Sequence, residues 1–403
     1  MKAQQRILNI QYALLQGFHW MGFAAAFSFA AVYLQYRGYS NSALGLVLGA
    51  ANIAGFLLAP MLAELVDRRG KNCLLFILWL MMAVQVCMLA VFKLTQGSGA
   101  LLSVCYCVYL TYYICANPMY TQLCFELERG ICHINFGAAR GVGSFAFAPF
   151  AALLGSLTSR FSPAILPLMG LCTAVLQSAI LLILSLRLRN TGEETAARSG
   201  EREQSLSLAG FVGANRRFFI MLLGVALLFF SHNLTNNFLI NIVRNVGGDE
   251  QAVGGVNAFM ALMELPAMFL YERLLRRVSC PATIRIAAVA FALKGLSIAL
   301  APNLPALYGA HVFQALSFAL ITPALVRYVD LYIADKDSAK GQSVSSAMTS
   351  LGAIFASSLG GIMFDHMSVT ETLLVGAAAA AVGAAVCIAF SREKLPSHKL
   401  PKY

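Results

Sequence analysis

Charged side chains are scarce in this sequence. They make up 12% of the 403 residues, whereas a soluble domain carries about 25%. So few charges cannot cover a water-facing surface. The shortage argues against a soluble enzyme and equally against a disordered protein, which would be rich in charge.

The sequence also lacks the patterns of a metal site, a disulfide framework or a catalytic centre. Its ten cysteines form no Cys-x-x-Cys pair, and Cys132-His133 has no second pair of ligands at zinc spacing. It contains no recognisable nucleophile–base pair or phosphate-binding loop. We therefore expect no metal, no cofactor and no enzymatic activity.

Long apolar runs dominate the chain instead. Hydrophobic residues make up 59% of it, and a helix of about 20 apolar residues crosses a bilayer core of about 30 Å. Twelve such runs are bounded by polar, Pro or Gly residues: 9–36, 42–66, 72–94, 98–127, 136–158, 163–187, 218–245, 252–273, 283–301, 305–330, 343–365 and 370–391. We predict an all-α integral membrane protein with twelve transmembrane helices in the lipid bilayer, and below we number the spans in this order.

One long hydrophilic segment divides these runs into two sets of six. It lies between the sixth and seventh spans and contains Gly192-Glu193-Glu194 and Glu201-Arg202-Glu203. We predict an N-terminal six-helix bundle at 1–190, a cytoplasmic linker at 191–217 and a C-terminal six-helix bundle at 218–403.

The positive charges indicate the orientation. The formal net charge is +11, from 29 Lys and Arg against 18 Asp and Glu. With the N-terminus inside, the outer segments hold only Arg37, Lys93, Arg160 and Arg244, and Lys294 lies within a span. All other Lys and Arg residues are then on the inner side, as the positive-inside rule requires. We expect cytoplasmic termini in a bacterial inner membrane, and no binding of nucleic acid.

Two six-helix halves in one chain are typical of alternating access around a site near the midplane. We therefore expect a small-molecule substrate. A structural or receptor-like membrane protein is the alternative, because small residues in the spans would serve helix packing in either case.

The turn after the second span carries a more specific pattern. Residues 63–71 read Ala-Glu-Leu-Val-Asp-Arg-Arg-Gly-Lys. The chain here resembles the major facilitator superfamily, whose loop Gly-x-x-x-Asp-Arg-x-Gly-Arg/Lys occupies this place. Ala63 replaces the leading glycine, while Asp67, Arg68, Gly70 and Lys71 match. The resemblance implies that this loop is a conformational latch.

Three polar residues lie within spans of the C-terminal half, where a charge costs about 2.5–3.5 kcal/mol. They are Glu264 in the eighth span, Lys294 in the ninth and His311 in the tenth. Their depths allow the three side chains to share one cavity. We predict that they couple transport to protons, the alternative being a buried ion pair that only fixes helix packing.

These residues sharpen the resemblance to the branch that contains lactose permease and the phenylpropionate permeases. Glu-x-Pro at Glu264, a base at Lys294 and His-x-x-Gln from His311 match that branch. Helix 7 of the branch matches at Ser231-His232, and its helix 5 arginine matches Arg140.

The chain also departs from lactose permease. A glutamine, Gln122, stands where the permease has a glutamate before the arginine, Phe147 replaces its stacking tryptophan, and Gln314 replaces its proton-carrying glutamate. Lactose itself is therefore not the expected substrate. The resemblance and the spacing of polar residues together predict a substrate-binding set of Arg140, Phe147, Asn117, Tyr120, Gln122, His232, Asn236 and Gln314.

We predict a monomeric, proton-linked symporter that imports a small organic solute, which is a sugar, a nucleoside or an aromatic acid. An exporter or uniporter without proton coupling is one alternative. A transporter-like ligand sensor is another, although the linker and tail contain no recognisable signalling module.

Overall fold

The computed structural model describes residues 2–95, 97–189, 207–275 and 277–391. Nearly all of these residues lie in helices, and no strand occurs among them. Because a bilayer offers backbone groups no hydrogen bonds, a chain of long apolar runs satisfies them within helices. The predicted all-α class is confirmed.

The first six spans are helical over their expected positions. They comprise Lys2–Phe23 with a π-helical turn at Ala24–Ser28 and Ala30–Tyr36; Asn41–Arg69; Lys71–Leu94; Ala100–Gly130; Phe136–Arg160; and Leu166–Arg189 after a 3₁₀ turn at Pro163–Ile165. The first span starts earlier than residue 9, because the polar residues at its start also adopt helix.

The other six spans follow a short helix at Leu208–Ala214, which lies in the predicted linker; residues 191–206 of that linker lie outside the described part. The spans are Arg216–Asn237 with Leu239–Asn245; Glu250–Leu275; Cys280–Ala299; Leu304–His311 with Val312–Ala315 and Phe318–Tyr332; Ser338–His366; and Val369–Phe390.

The lengths of the helices agree with most of the twelve predicted spans. Within the described ranges, ten helices are long and apolar enough to cross a membrane, and the first span, bent by 47°, makes an eleventh. The twelfth is Glu250–Leu275, whose 26 residues extend about 39 Å at 1.5 Å per residue.

The chain divides into two compact units. One contains Met1–Ser199 and Gly248–Ala261, and the other Gly200–Gly247 and Leu262–Tyr403. The eighth span is therefore shared: its first half belongs to the first unit, and its second half, with Glu264, to the second. The predicted boundaries at 190 and 217 stay predictions.

The first and seventh spans are interrupted in the same way. The helix is broken at Phe29 (φ −108°, ψ 12°) and at Phe238 (φ −117°, ψ 26°). Nine residues later the chain turns at Gly38 (φ 86°) and Gly247 (φ 81°), whose left-handed backbone favours glycine. The two halves thus repeat a bent span followed by a glycine turn.

The next span of each half begins with the same type of cap. Ser40 accepts a hydrogen bond from the backbone N–H of Ala43 at 3.2 Å, and Asp249 accepts one from Ala252 at 3.1 Å. Each cap lies two residues after the turn glycine and satisfies one of the free N–H groups at the helix start.

Candidate functional site

A series of side-chain hydrogen bonds links three spans of the second unit. Lys294 Nζ donates to Oε1 of Gln314 at 2.6 Å, and Gln314 Nε2 donates to Oε1 of Glu264 at 2.7 Å. Lys294 is 3% exposed and Gln314 2%. One neutral amide therefore bridges a cation and a carboxylate within the membrane-spanning region.

Gln314 lies where the tenth span is interrupted. The α-helix ends at His311, a 3₁₀ turn occupies Val312–Ala315, and α-helix resumes at Phe318. A 3₁₀ turn has three residues per turn instead of 3.6, which changes the direction of the side chains it carries. Broken membrane helices are typical of transporter binding sites.

His311 is placed differently from Glu264 and Lys294. Its Nδ1 lies 2.8 Å from the carbonyl oxygen of Leu307. Because a carbonyl only accepts, Nδ1 carries the hydrogen. Its Nε2 is buried without a hydrogen-bond partner among the described residues. The predicted trio is thus joined in part: Gln314 connects Glu264 to Lys294, while His311 bonds to its own helix.

His232, in the seventh span, is enclosed by aromatic rings. Its ring stacks on Phe318 with centroids 4.7 Å apart and meets the edge of Phe291 at 5.8 Å. Its Nε2 lies 3.0 Å from Nδ2 of Asn236. The structure therefore brings two residues of the predicted binding set together.

Arg140 is held on the fifth span of the first unit. Its guanidinium lies 3.9 Å from the centroid of the Trp20 ring, and Nη1 donates to Oγ of Ser144 at 3.0 Å. Gly143 lets the indole approach, because a Cβ there would lie 2.5 Å from Trp20 Cδ1. The predicted site set omits Trp20, which is one of two tryptophans in the chain.

Tyr120 lies in a buried polar cluster. Its hydroxyl accepts a hydrogen bond from Gln177 Nε2 at 2.6 Å and lies 3.1 Å from that of Tyr112. The ring of His19 packs against Tyr120 at 5.1 Å. Asn117, three residues earlier on the same helix, is exposed.

Two further residues of the predicted binding set lie apart from Arg140's contacts. Gln122 Nε2 is directed to Asp67 Oδ1 at 3.4 Å, beside the turn between the second and third spans. Phe147 is half-buried on the fifth span, two turns beyond Arg140.

The turn itself depends on one glycine. Gly70 has φ 75° and ψ −165° and separates the helices that end at Arg69 and begin at Lys71. Arg68 forms an exposed ion pair with Glu64 four residues earlier. The turn that contains Asp67, Arg68, Gly70 and Lys71 therefore connects the two helices closely. The role of this turn as a latch stays a prediction.

The side chains described above can interact with a solute through hydrogen bonds, charge and aromatic stacking. No three His, Cys, Asp or Glu side chains in the described ranges are arranged to hold a metal ion.

Comparisons with known proteins identify the family of this chain. The model of the MFS_1 like family matches residues 10–375. A maltose permease from Geobacillus stearothermophilus is 24% identical over 396 residues, covering 97% of this chain and 96% of the permease.

Solved structures show the same fold. A mutant of the nucleoside transporter NupG superposes with a TM-score of 0.79 at 14% identity, covering 96% of this chain and all of that chain. A bacterial homologue of the human lysosomal transporter Spinster has a TM-score of 0.68 at 15% identity, covering 97% of this chain and 98% of that chain. The protein is a multi-pass membrane transporter, not an enzyme, and belongs to the MFS_1 like family of the major facilitator superfamily.

Proposed function

We propose that this transporter is a proton-coupled symporter that imports a small organic solute by alternating access. The observation that carries the proposal is the series of hydrogen bonds from buried Lys294 through buried Gln314 to half-buried Glu264. Charges at this depth are costly, which makes them functional candidates by default.

This series of hydrogen bonds connects Glu264, which can take up a proton, to the positive charge of Lys294, which a solute can bind. With Glu264 ionised, its negative charge balances Lys294 through the amide. When the carboxylate takes up a proton, the resulting acid still accepts from Gln314 through its carbonyl oxygen. Lys294 then lacks its counter-charge, which favours a carboxylate or hydroxyl oxygen of a solute. Release of the solute restores the balance and favours loss of the proton.

Two groups support a ring-bearing or hydroxyl-rich solute. Arg140, held by Trp20 and Ser144, supplies fixed donors, and the stacked rings of His232 and Phe318 supply an aromatic surface. The maltose permease and nucleoside transporter among the similar proteins favour testing sugars and nucleosides first, with aromatic acids as the third class.

The decisive experiment measures solute uptake into proteoliposomes under an imposed pH gradient. When the solution outside the liposomes is more acidic than the lumen, we expect at least one of these solutes to accumulate inside. Glu264→Gln should abolish accumulation while solute still equilibrates by exchange. Glu250→Gln, in the first turn of the same span, is the matched control and should accumulate solute like the wild type.

The same assay separates the alternatives. Accumulation by Glu264→Gln would reject the coupling site, and equilibration that no pH gradient affects would indicate a uniporter. Ligand binding without any flux would indicate a sensor. We place both termini in the cytoplasm of a bacterium, since nearly all basic residues outside the spans then lie on the inner side. We also expect a monomer.

A further inference from the structure

A cavity of about 430 Å³ lies between the third and sixth spans of the first unit. Asn72, Leu75, Phe76 and Trp79 line one side, and Arg189 lines the other. The four residues of the third span recur at intervals of three and four, so they share one helix face. Arg189 is the last residue of the sixth span.

The cavity changes from polar to apolar along its length. Asn72 and Arg189 lie at the helix ends, while Trp79 is about 10 Å deeper by helix rise. There the indole Nε1 donates to Oγ of Ser185, one turn before Arg189, at 3.2 Å. Phe76 is 67% exposed, so the apolar part opens on the outer surface of the bundle.

Among the described residues, the charged side chain that lines the cavity is that of Arg189, which is positive. The last turn of the sixth span contains Arg187 and Arg189. The third span begins with Lys71 and has no acidic residue in its first turn. Basic pockets between membrane helices complement anionic lipid headgroups.

We propose that this cavity binds an anionic phospholipid. Arg189 and Asn72 receive the phosphate, and an acyl chain lies across Phe76 towards Trp79. Free phosphate would use only the mouth, whereas the apolar, outward-open depth fits a molecule that joins a phosphate to a hydrocarbon chain.

The two tryptophans of the chain make a direct test possible. In Trp20→Phe, Trp79 is the only indole, and brominated lipids quench its fluorescence on contact. We expect brominated phosphatidylglycerol to quench Trp79 at lower mole fractions than brominated phosphatidylcholine does. In this background, Arg189→Gln should weaken the preference for phosphatidylglycerol over phosphatidylcholine about fivefold. A factor of this size corresponds to the attraction of one basic residue to an anionic membrane surface.

The matched control is Arg187→Gln, which removes a charge two residues away that does not line the cavity. Brominated phosphatidylglycerol should quench Trp79 in this variant as it does in the parent. About 10 mM inorganic phosphate, well below the physiological ionic strength of about 0.15 M, should not displace the lipid. Asn72→Asp adds a repelling charge at the mouth and should also lower the preference, which keeps the test valid if Arg189→Gln folds poorly. Equal quenching by both lipids, equal effects of Arg187→Gln and Arg189→Gln, or displacement by phosphate would overturn the proposal.

Discussion

Lys294 and Gln314 belong to different spans, yet their side chains lie 2.6 Å apart, nitrogen to oxygen. The same amide donates to Glu264 at 2.7 Å. A neutral side chain that cannot change charge thus lies between two that can. Any change in the protonation of Glu264 is felt by Lys294 through this contact.

Replacing Gln314 by Leu should uncouple the pair. Both hydrogen bonds are lost inside the protein, at a cost of about 1–3 kcal/mol, so the unfolding temperature should fall. Accumulation driven by a pH gradient should fall about tenfold, because protonation of Glu264 no longer changes the contacts of Lys294. Uptake and thermal unfolding of the purified variant measure the two effects.

Gln251→Leu is the control for this substitution, since Gln251 is exposed at the start of the eighth span. It should match the wild type in both assays. Undiminished proton-driven accumulation by the Gln314→Leu variant would show that the bridge has no part in coupling.

A methyl group at position 143 should disturb the solute site. The Cβ would lie 2.5 Å from Trp20 Cδ1 and displace the indole from Arg140. We expect Gly143→Ala to raise KM with little change in the maximal rate, and to lose about 1–3 kcal/mol of stability through overpacking. Initial rates of uptake over a range of solute concentrations give both parameters.

Gly141→Ala is a matched control on the same helix. No atom outside the neighbouring backbone lies within 4 Å of its Cβ position, and alanine favours helix by up to about 1 kcal/mol. Its KM should be unchanged. An equal rise of KM in both variants would mean that helix flexibility, rather than the Trp20–Arg140 contact, is responsible.

Gly70→Ala should strain the turn between the second and third spans. At φ 75° and ψ −165° the backbone is in a region that is essentially restricted to glycine, where a Cβ costs about 1–3 kcal/mol, although no atom lies within 4 Å of it. We expect a lower unfolding temperature and, if the loop is a latch, a slower transport rate at unchanged KM. Gly99→Ala also has open space around its Cβ, but its φ of −169° is ordinary extended backbone, so it should change neither property.

Asp249 should make stability depend on pH at the start of the eighth span. Ser159 Oγ donates to its carboxylate at 2.7 Å, and this hydrogen bond holds the pKa of Asp249 below its ordinary value. The contribution is therefore complete above the ordinary pKa of about 4 and is lost as pH falls through the lower folded pKa. Asp249→Ala should lower the unfolding temperature at pH 7 but have a smaller effect near pH 3.

Ser40→Ala removes the corresponding cap of the second span, which has no titratable group. Its cost, about 1 kcal/mol as for other N-caps, should be the same at both pH values. A parallel pH dependence in the two variants would assign the effect to the whole protein instead of Asp249.

Sequence patterns were sufficient to predict the helices but not the positions at which the helices are interrupted. The breaks at Phe29 and Phe238 contain no proline, so no local signal marks them. The tenth span reads as one apolar run, yet it changes to a 3₁₀ turn before Gln314. Helix interruptions of this kind depend on packing against neighbouring spans, which a pattern along one chain does not contain.

The candidate site shows the same difference. Glu264, Lys294 and Arg140 stand out in sequence because charges are rare in apolar runs. The partners of these residues do not stand out, since Trp20 is 120 positions before Arg140 in the sequence. Gln122, which the resemblance places in the substrate-binding set, contacts Asp67. Long-range contacts follow from how helices pack, so one sequence cannot reveal them.

The sequence by itself determined that this is a helical membrane protein with twelve spans and few buried charges. It could do so because the bilayer requires every spanning segment to be apolar and to satisfy its own backbone, which leaves a pattern in each run. Only the tertiary structure decided that Gln314 joins Glu264 to Lys294 and that Trp20 holds Arg140. Those contacts depend on distances of a few ångströms between different helices, which packing sets and composition does not.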